Sequence, residues 1–141
     1  KFIFTEPKVN DLNFSFSGLK TQIFMFLKRE SKKNPKFIKE NLNDLCASIQ
    51  KTIITILINK LILAIKNNEV KNVAIAGGVA SNKYFRSEIK KLEEKFKIKT
   101  YFPKIEYSTD NAAMICISGY YKYKKKDFSN LNIAPNCRYP I

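Results

Sequence analysis

Apolar positions along the chain change their period from segment to segment, and each change marks an element. Residues 1–13 carry Phe2, Ile3 and Phe4 ahead of Pro7, the pattern of an extended lead-in whose first residues can add an edge strand. Ser17 then predicts the cap of a helix running to about Glu30, with Leu19, Ile23, Phe24, Phe26 and Leu27 apolar. Asn34-Pro35 starts a short helix to about Glu40, because proline is tolerated at the first helical position. A long helix follows over about 43–66. Leu45, Ile49, Ile53, Ile56 and Leu57 fall at helical spacing, with Cys46 and Ala47 widening the stripe. From Ile53 onward it is apolar nearly all round, which predicts a central, covered helix that ends at Asn67-Asn68.

The period then shortens. Val70, Val73, Ala74, Ile75 and Ala76 are small or β-branched, which predicts a strand over 70–76 covered on both faces. Gly77-Gly78 stops it. Ser81 and Asn82 can both cap the amphipathic helix that follows, which carries Tyr84, Phe85, Ile89, Leu92 and Phe96 and ends near Lys97. A second strand over 98–102 closes a β-α-β crossover, which should be right-handed and parallel, and Pro103 breaks it. Residues 105–108 read as a loop. Thr109-Asp110-Asn111 opens a last helix over about 112–123, with Met114, Ile115 and Ile117 expected to be buried. The tail over 127–141 carries Pro135 and Pro140 and reads as irregular. The fold class is therefore α/β and helix-rich, with a short parallel sheet.

Composition narrows the partners less than its numbers suggest. The chain has 141 residues, enough for one domain with a real core, and 45% of them are hydrophobic, so it folds rather than staying disordered. Its net charge of +14 favours polyanions such as RNA. Yet the chain is crowded with Lys, Asn and Ile, and its arginines are only Arg29, Arg86 and Arg138. AT-rich coding gives that profile unaided, so charge is weak support for an RNA partner. Cys46, Cys116 and Cys137 are widely spaced and imply no disulfide framework, which suits a reducing, cytoplasmic setting. The chain contains no histidine, so it cannot by itself build a histidine dyad or a histidine-liganded metal. No signal peptide is visible, and the most apolar run, 53–65, is too short for a membrane span. The chain begins at Lys1 with no methionine before Met25 and reads as a fragment or a processed piece.

Three stretches carry candidate chemistry. The order strand, Gly77-Gly78, capped helix aims backbone N–H groups at one point, where an anion or nucleotide can sit; packing alone also explains the glycines. Asp110 at a helix start has an ordinary structural role as a cap that offsets the dipole. Phe14-Ser15-Phe16-Ser17-Gly18-Leu19-Lys20-Thr21 alternates aromatics with serines before a glycine, and a packed loop accounts for it without function. The Tyr and Lys residues of 120–126 also admit an RNA contact, but lysines near a helix C-terminus are favourable for dipole reasons alone.

Together, 14–21, 76–82 with Arg86 following, and 108–115 resemble the C-terminal part of the tRNA adenosine threonylcarbamoyltransferase family, TsaD in bacteria. That family was formerly labelled O-sialoglycoprotein endopeptidase. The resemblance implies the C-terminal portion of an actin/Hsp70/sugar-kinase-like fold, with two ribonuclease-H-like lobes around a nucleotide cleft. Residues 1–141 are then one domain, a lobe fragment of a larger two-lobe protein. It also implies transfer of a threonylcarbamoyl group from threonylcarbamoyl-adenylate to the adenosine 3′ of the anticodon, in tRNAs that read A-starting codons. By that resemblance Gly77 and Gly78 border the nucleotide, Asn82 contacts the adenylate, and Asp110 ligates one divalent metal ion, iron or zinc. The implied partners are tRNA, TsaB-like and TsaE-like proteins and the adenylate from a TsaC-like synthase, with ATP or ADP as further ligands and no membrane.

Departures from the pattern matter. The family's other metal ligands are two histidines of an H-x-x-x-H pair in its N-terminal part, and this chain has none. The chain alone is therefore expected to be inactive. A rival reading is a non-catalytic nucleotide-binding or assembly module of the same fold, against which the intact Gly77, Gly78, Asn82 and Asp110 speak. A peptidase is rejected, because neither a Ser/His nor a Cys/His pair is available.

Overall fold

The computed structural model describes residues 1–134. Five helices and two strands follow in the order α1 (Phe16–Lys33), α2 (Phe37–Glu40), α3 (Leu42–Asn68), β1 (Asn72–Ala74), α4 (Lys83–Phe96), β2 (Lys99–Tyr101) and α5 (Ala112–Lys124). Single 3-10 turns, Gly78–Ser81 and Ile105–Tyr107, sit where each strand gives way to the next segment. The expected irregular tail is seen as far as residue 134, and the rest of it lies outside the described residues.

The strands pair in parallel, with Val73 opposite Thr100 and Ala74 opposite Tyr101. The expected crossover is therefore present, though each strand is shorter than its apolar run. Backbone bonds carry the pairing slightly further, from Lys99 N–H to the Lys71 carbonyl at 2.8 Å and from Ile75 N–H to the Tyr101 carbonyl at 2.9 Å. The expectation that β1 is covered on both faces is wrong. Val73 is buried and Ile75 half-buried, whereas Val70, Ala74 and Ala76 are exposed. Alternation along a pleated strand makes this a one-sided sheet. Its covered side packs Val73 and Ile98 with Ile65 of α3 and Leu92 of α4.

Helix α3 is the spine. Ile54 meets Phe85 and Ile89 of α4. Ile56, two residues on, meets Leu19 of α1 and Phe4 of the lead-in. Burying both sets needs apolar residues round most of the helix, which is why its stripe lost periodicity. Its cover is only partial: Ile54, Ile56 and Ile65 are buried, while Ile58, Leu61 and Ile62 are half-exposed. By length and composition α3 is long and apolar enough to cross a membrane, so the length argument made from 53–65 does not hold. These packed faces, and a Lys60 ammonium that donates to the carbonyls of Val9 and Asp11, give it an internal role.

Other corrections concern the ends of the chain. Phe2 to Phe4 form no strand. Their backbone is bonded to side chains instead, Phe2 N–H to Ser48 Oγ at 3.1 Å and Thr5 N–H to Gln22 Oε1 at 2.9 Å. Phe2 and Phe4 drive this by packing edge-on or tilted against Phe26. Helix α1 begins before Ser17, whose carbonyl accepts from Thr21 Oγ1 at 3.1 Å, so Ser17 is not the cap; Phe24 is exposed. In α5, Met114, Ile115 and Ile117 were expected to be buried, but they are 47%, 69% and 51% exposed and the helix buries none of its residues. Their apolar character has no cover among the described residues.

Candidate active-site cleft

The turn after β1 is built by its glycines. Gly77 has φ 85° and ψ 173°, a backbone region essentially reserved for glycine. Gly78 does not need positive φ, and nothing lies within 4 Å of where a Cβ would stand on either residue. The chain then closes a 3-10 turn, with Ala80 N–H bonded to the Gly77 carbonyl at 2.9 Å and Asn82 N–H to the Val79 carbonyl at 3.0 Å. Ser81 Oγ donates to the Gly78 carbonyl at 2.7 Å. The first N–H groups of such a turn have no partner inside it, so those of Gly78 and Val79 remain for another acceptor.

Asn82 and not Ser81 caps α4. Its Oδ1 accepts from Phe85 N–H at 3.0 Å, and its Nδ2 donates to Gln50 Oε1 of α3 at 3.0 Å. Both ends of the side chain are engaged inside the protein. A similar substitution of roles occurs at α5. The cap is Asn111, whose Oδ1 accepts from Met114 N–H at 3.1 Å, so the ordinary role foreseen for Asp110 belongs to its neighbour. Asp110 itself is exposed.

Gly77, Gly78 and Asp110 line one cleft of about 420 Å³, together with Ala76, Tyr107, Ser108 and Thr109. Asn82 lies round the turn from it, on a separate hollow between α3 and the glycine turn that Gly78, Val79 and Gln50 also line. Of the four site residues that the resemblance implies, Gly77, Gly78 and Asp110 share one cleft and Asn82 does not. An apolar groove of about 590 Å³ lies further along, where Phe16, Ser17, Leu19 and Lys20 meet Ile53 and Val79. The Phe14–Thr21 motif therefore faces Val79 of the glycine turn across this groove, and its residues do not reach the cleft with Asp110.

Reading the sequence overlooked Arg86 as more than a motif residue. Its Nε donates to the Ala80 carbonyl of the glycine turn, and its Nη2 donates to the Pro103 carbonyl at 2.8 Å. Its guanidinium lies over the Phe102 ring, 4.8 Å from the centroid. One signal was present: an arginine in a lysine-rich chain marks a place where a planar fork matters. Ser108, 3% exposed, was missed too; its Oγ donates to the Lys104 carbonyl at 3.3 Å.

A metal fits these residues only in part. Asp110 offers one exposed carboxylate, and among the described residues there is no group of three or more histidine, cysteine, aspartate or glutamate side chains placed to hold an ion. One carboxylate is too few protein ligands for a defined site.

Comparison with known proteins agrees with the motifs. Residues 1–117 match the family model described as TsaD, tRNA N6-adenosine threonylcarbamoyltransferase. Proteins named tRNA N6-adenosine threonylcarbamoyltransferase are similar along nearly the whole chain. That of Christiangramia forsetii is 53% identical over 98% of this chain and 41% of its own length. That of Riemerella anatipestifer is 45% identical over 99% and 41%, and that of Thermosipho africanus 42% identical over 98% and 42%. The chain spans about two-fifths of the length of these relatives. With its parallel crossover, glycine turn and Thr-Asp-Asn segment, and with most of its length matched, the chain belongs to the TsaD family, of actin-like fold.

Proposed function

We propose that this chain supplies one wall of the site at which a threonylcarbamoyl group passes from threonylcarbamoyl-adenylate to the exocyclic amine of the adenosine 3′ of a tRNA anticodon. The observation that carries the reading is the shared cleft, with Gly77 and Gly78 on one side and Asp110 on the other. In the reaction the amine nitrogen bonds to the carbamoyl carbon, the carbon–oxygen bond to the adenylate phosphate breaks, and AMP leaves. The amine gives up one proton.

The chain's own residues hold the donor. The open N–H group of Gly78 suits an anionic oxygen of the adenylate, and the bare Cα of Gly78 lets it approach the main chain. A cleft of about 420 Å³ is within the range of small-molecule sites. Asp110 is available as one ligand of a divalent ion, iron or zinc, but it does not make a site unaided. ATP or ADP would occupy the same nucleotide wall. Asn82 holds the turn from behind, bonded to Phe85 and Gln50 on a hollow separate from the cleft, and its second amide N–H stays free for the adenylate contact that the resemblance implies. The reading includes tRNA, TsaB-like and TsaE-like partners, a TsaC-like source of the adenylate, and a cytoplasmic setting.

The test is a reconstituted assay with threonylcarbamoyl-adenylate, unmodified tRNA and the full-length protein carrying this segment with its partners. The full-length protein forms the modified nucleoside, Asp110→Ala stays folded and does not, and the isolated chain gives none. An unimpaired Asp110→Ala protein, or turnover by the isolated chain, overturns the reading. A full-length protein that binds nucleotide but never forms the product, with every partner present, favours the non-catalytic alternative.

A further inference from the structure

We infer that Arg86 is a positioning residue that clamps the two walls of the cleft together, and this inference rests on the transferase reading above. The glycine turn follows β1, and the segment leading to Asp110 follows β2. Parallel pairing brings the strand ends side by side but fixes neither loop beyond them. Packing of α5 cannot place Asp110, because that helix buries none of its residues. What spans the gap is the Arg86 guanidinium. It reaches the turn through the Ala80 carbonyl and the second loop through the Pro103 carbonyl at 2.8 Å. Ser108 Oγ, two residues before Asp110, lies 3.5 Å from the same Nη2, the outer limit of a hydrogen bond.

The choice of arginine follows from this geometry. Donors must point to acceptors in different loops from one plane, which a rigid fork does and a lysine ammonium does not. Phe102 supports the plane from below, so the fork is held while it donates. Among the described residues no carboxylate pairs with Arg86 in a salt bridge, so its hydrogen bonds go to main-chain and hydroxyl oxygens. The glycine turn keeps its own bonds when the clamp is removed, since Ala80 N–H to Gly77 and the Asn82 cap do not involve Arg86. Loss of Arg86 should therefore leave nucleotide binding largely intact and misplace the wall that carries Asp110.

The experiment uses the full-length protein with its partners and compares wild type with Arg86→Met and Arg86→Lys. Arg86→Met should lower kcat by about 30-fold or more while KM for the adenylate moves by less than about threefold, as misplacement of a reacting wall predicts. Arg86→Lys should recover only a minor part of kcat. Amide exchange should accelerate over 104–111 and stay unchanged over 42–68. A kcat close to wild type in folded Arg86→Met, a loss confined to KM, or unchanged exchange over 104–111 overturns the clamp. Should Arg86→Met fail to fold, Phe102→Leu, which removes only the supporting ring, must show the same split in milder form or the clamp is wrong. Failure of the wild-type protein to transfer sinks the transferase reading instead, and the exchange comparison then decides the clamp alone.

Discussion

Asn82, the cap of α4, donates a side-chain amide N–H to Gln50 of α3 at 3.0 Å, across 32 residues of sequence. The same side chain caps α4 through Phe85 N–H, so one asparagine joins the start of the helix to the spine of the fold. Asn82→Ala removes both bonds and should cost about 1 kcal/mol as a lost cap. Asn82→Asp keeps the capping acceptor and should cost less, roughly 0.5 kcal/mol or below. Chemical denaturation measures both. In the full-length protein, nucleotide affinity should follow stability in this pair; a large affinity loss in a fully stable Asn82→Asp would instead show direct contact with the ligand.

The two glycines should separate by kind of damage. Gly77→Ala forces a side chain into the ε region of the backbone and should destabilise by about 1–3 kcal/mol. Gly78→Ala meets nothing within 4 Å and should leave stability nearly unchanged. Its new methyl stands where a ligand would approach the main chain, so nucleotide affinity should fall. Thermal melts with and without nucleotide resolve the two effects, and equal behaviour of both variants would contradict the assignment.

Glu93 ties the end of α4 to β2. Its carboxylate accepts from Thr100 N–H at 2.8 Å and from the Thr100 hydroxyl, and these bonds hold its pKa below the usual glutamate value, the hydroxyl contributing most. A depressed folded pKa means that stability from this group is present above the unfolded value, about 4.3, and is lost as pH falls through the folded value. Glu93→Gln should therefore be less stable than wild type at neutral pH, and the gap should close on acidification. Denaturation midpoints across the acid range check the sign; a gap that widens at low pH is the adverse outcome.

The isolated chain should self-associate. Both outer edges of the two-stranded sheet are unpaired among the described residues, and Met114, Ile115 and Ile117 of α5 are exposed. Sedimentation should show mass rising with concentration, and Ile115→Lys with Ile117→Lys should reduce it. A strictly monomeric wild-type chain at high concentration would refute this.

Local features were legible in the sequence because they depend on neighbours a few residues away. The glycine stop, the capped helix after it, the crossover length and the apolar stripe of α3 each follow from propensity, steric freedom and period. The glycine requirement at Gly77 belongs here, since φ 85° is a property of that residue's own backbone. Tertiary structure decided the rest. Period reports that a face is apolar but not what covers it, so the exposed Ala74 and Ala76 and the uncovered Met114, Ile115 and Ile117 could not be foreseen. Whether Asn82 faces the cleft or α3 turns on which way one short side chain points, and that depends on Gln50, a partner remote in sequence. The link from Arg86 to Pro103 joins residues 17 apart, and only the parallel pairing of the two strands brings them within reach of one guanidinium.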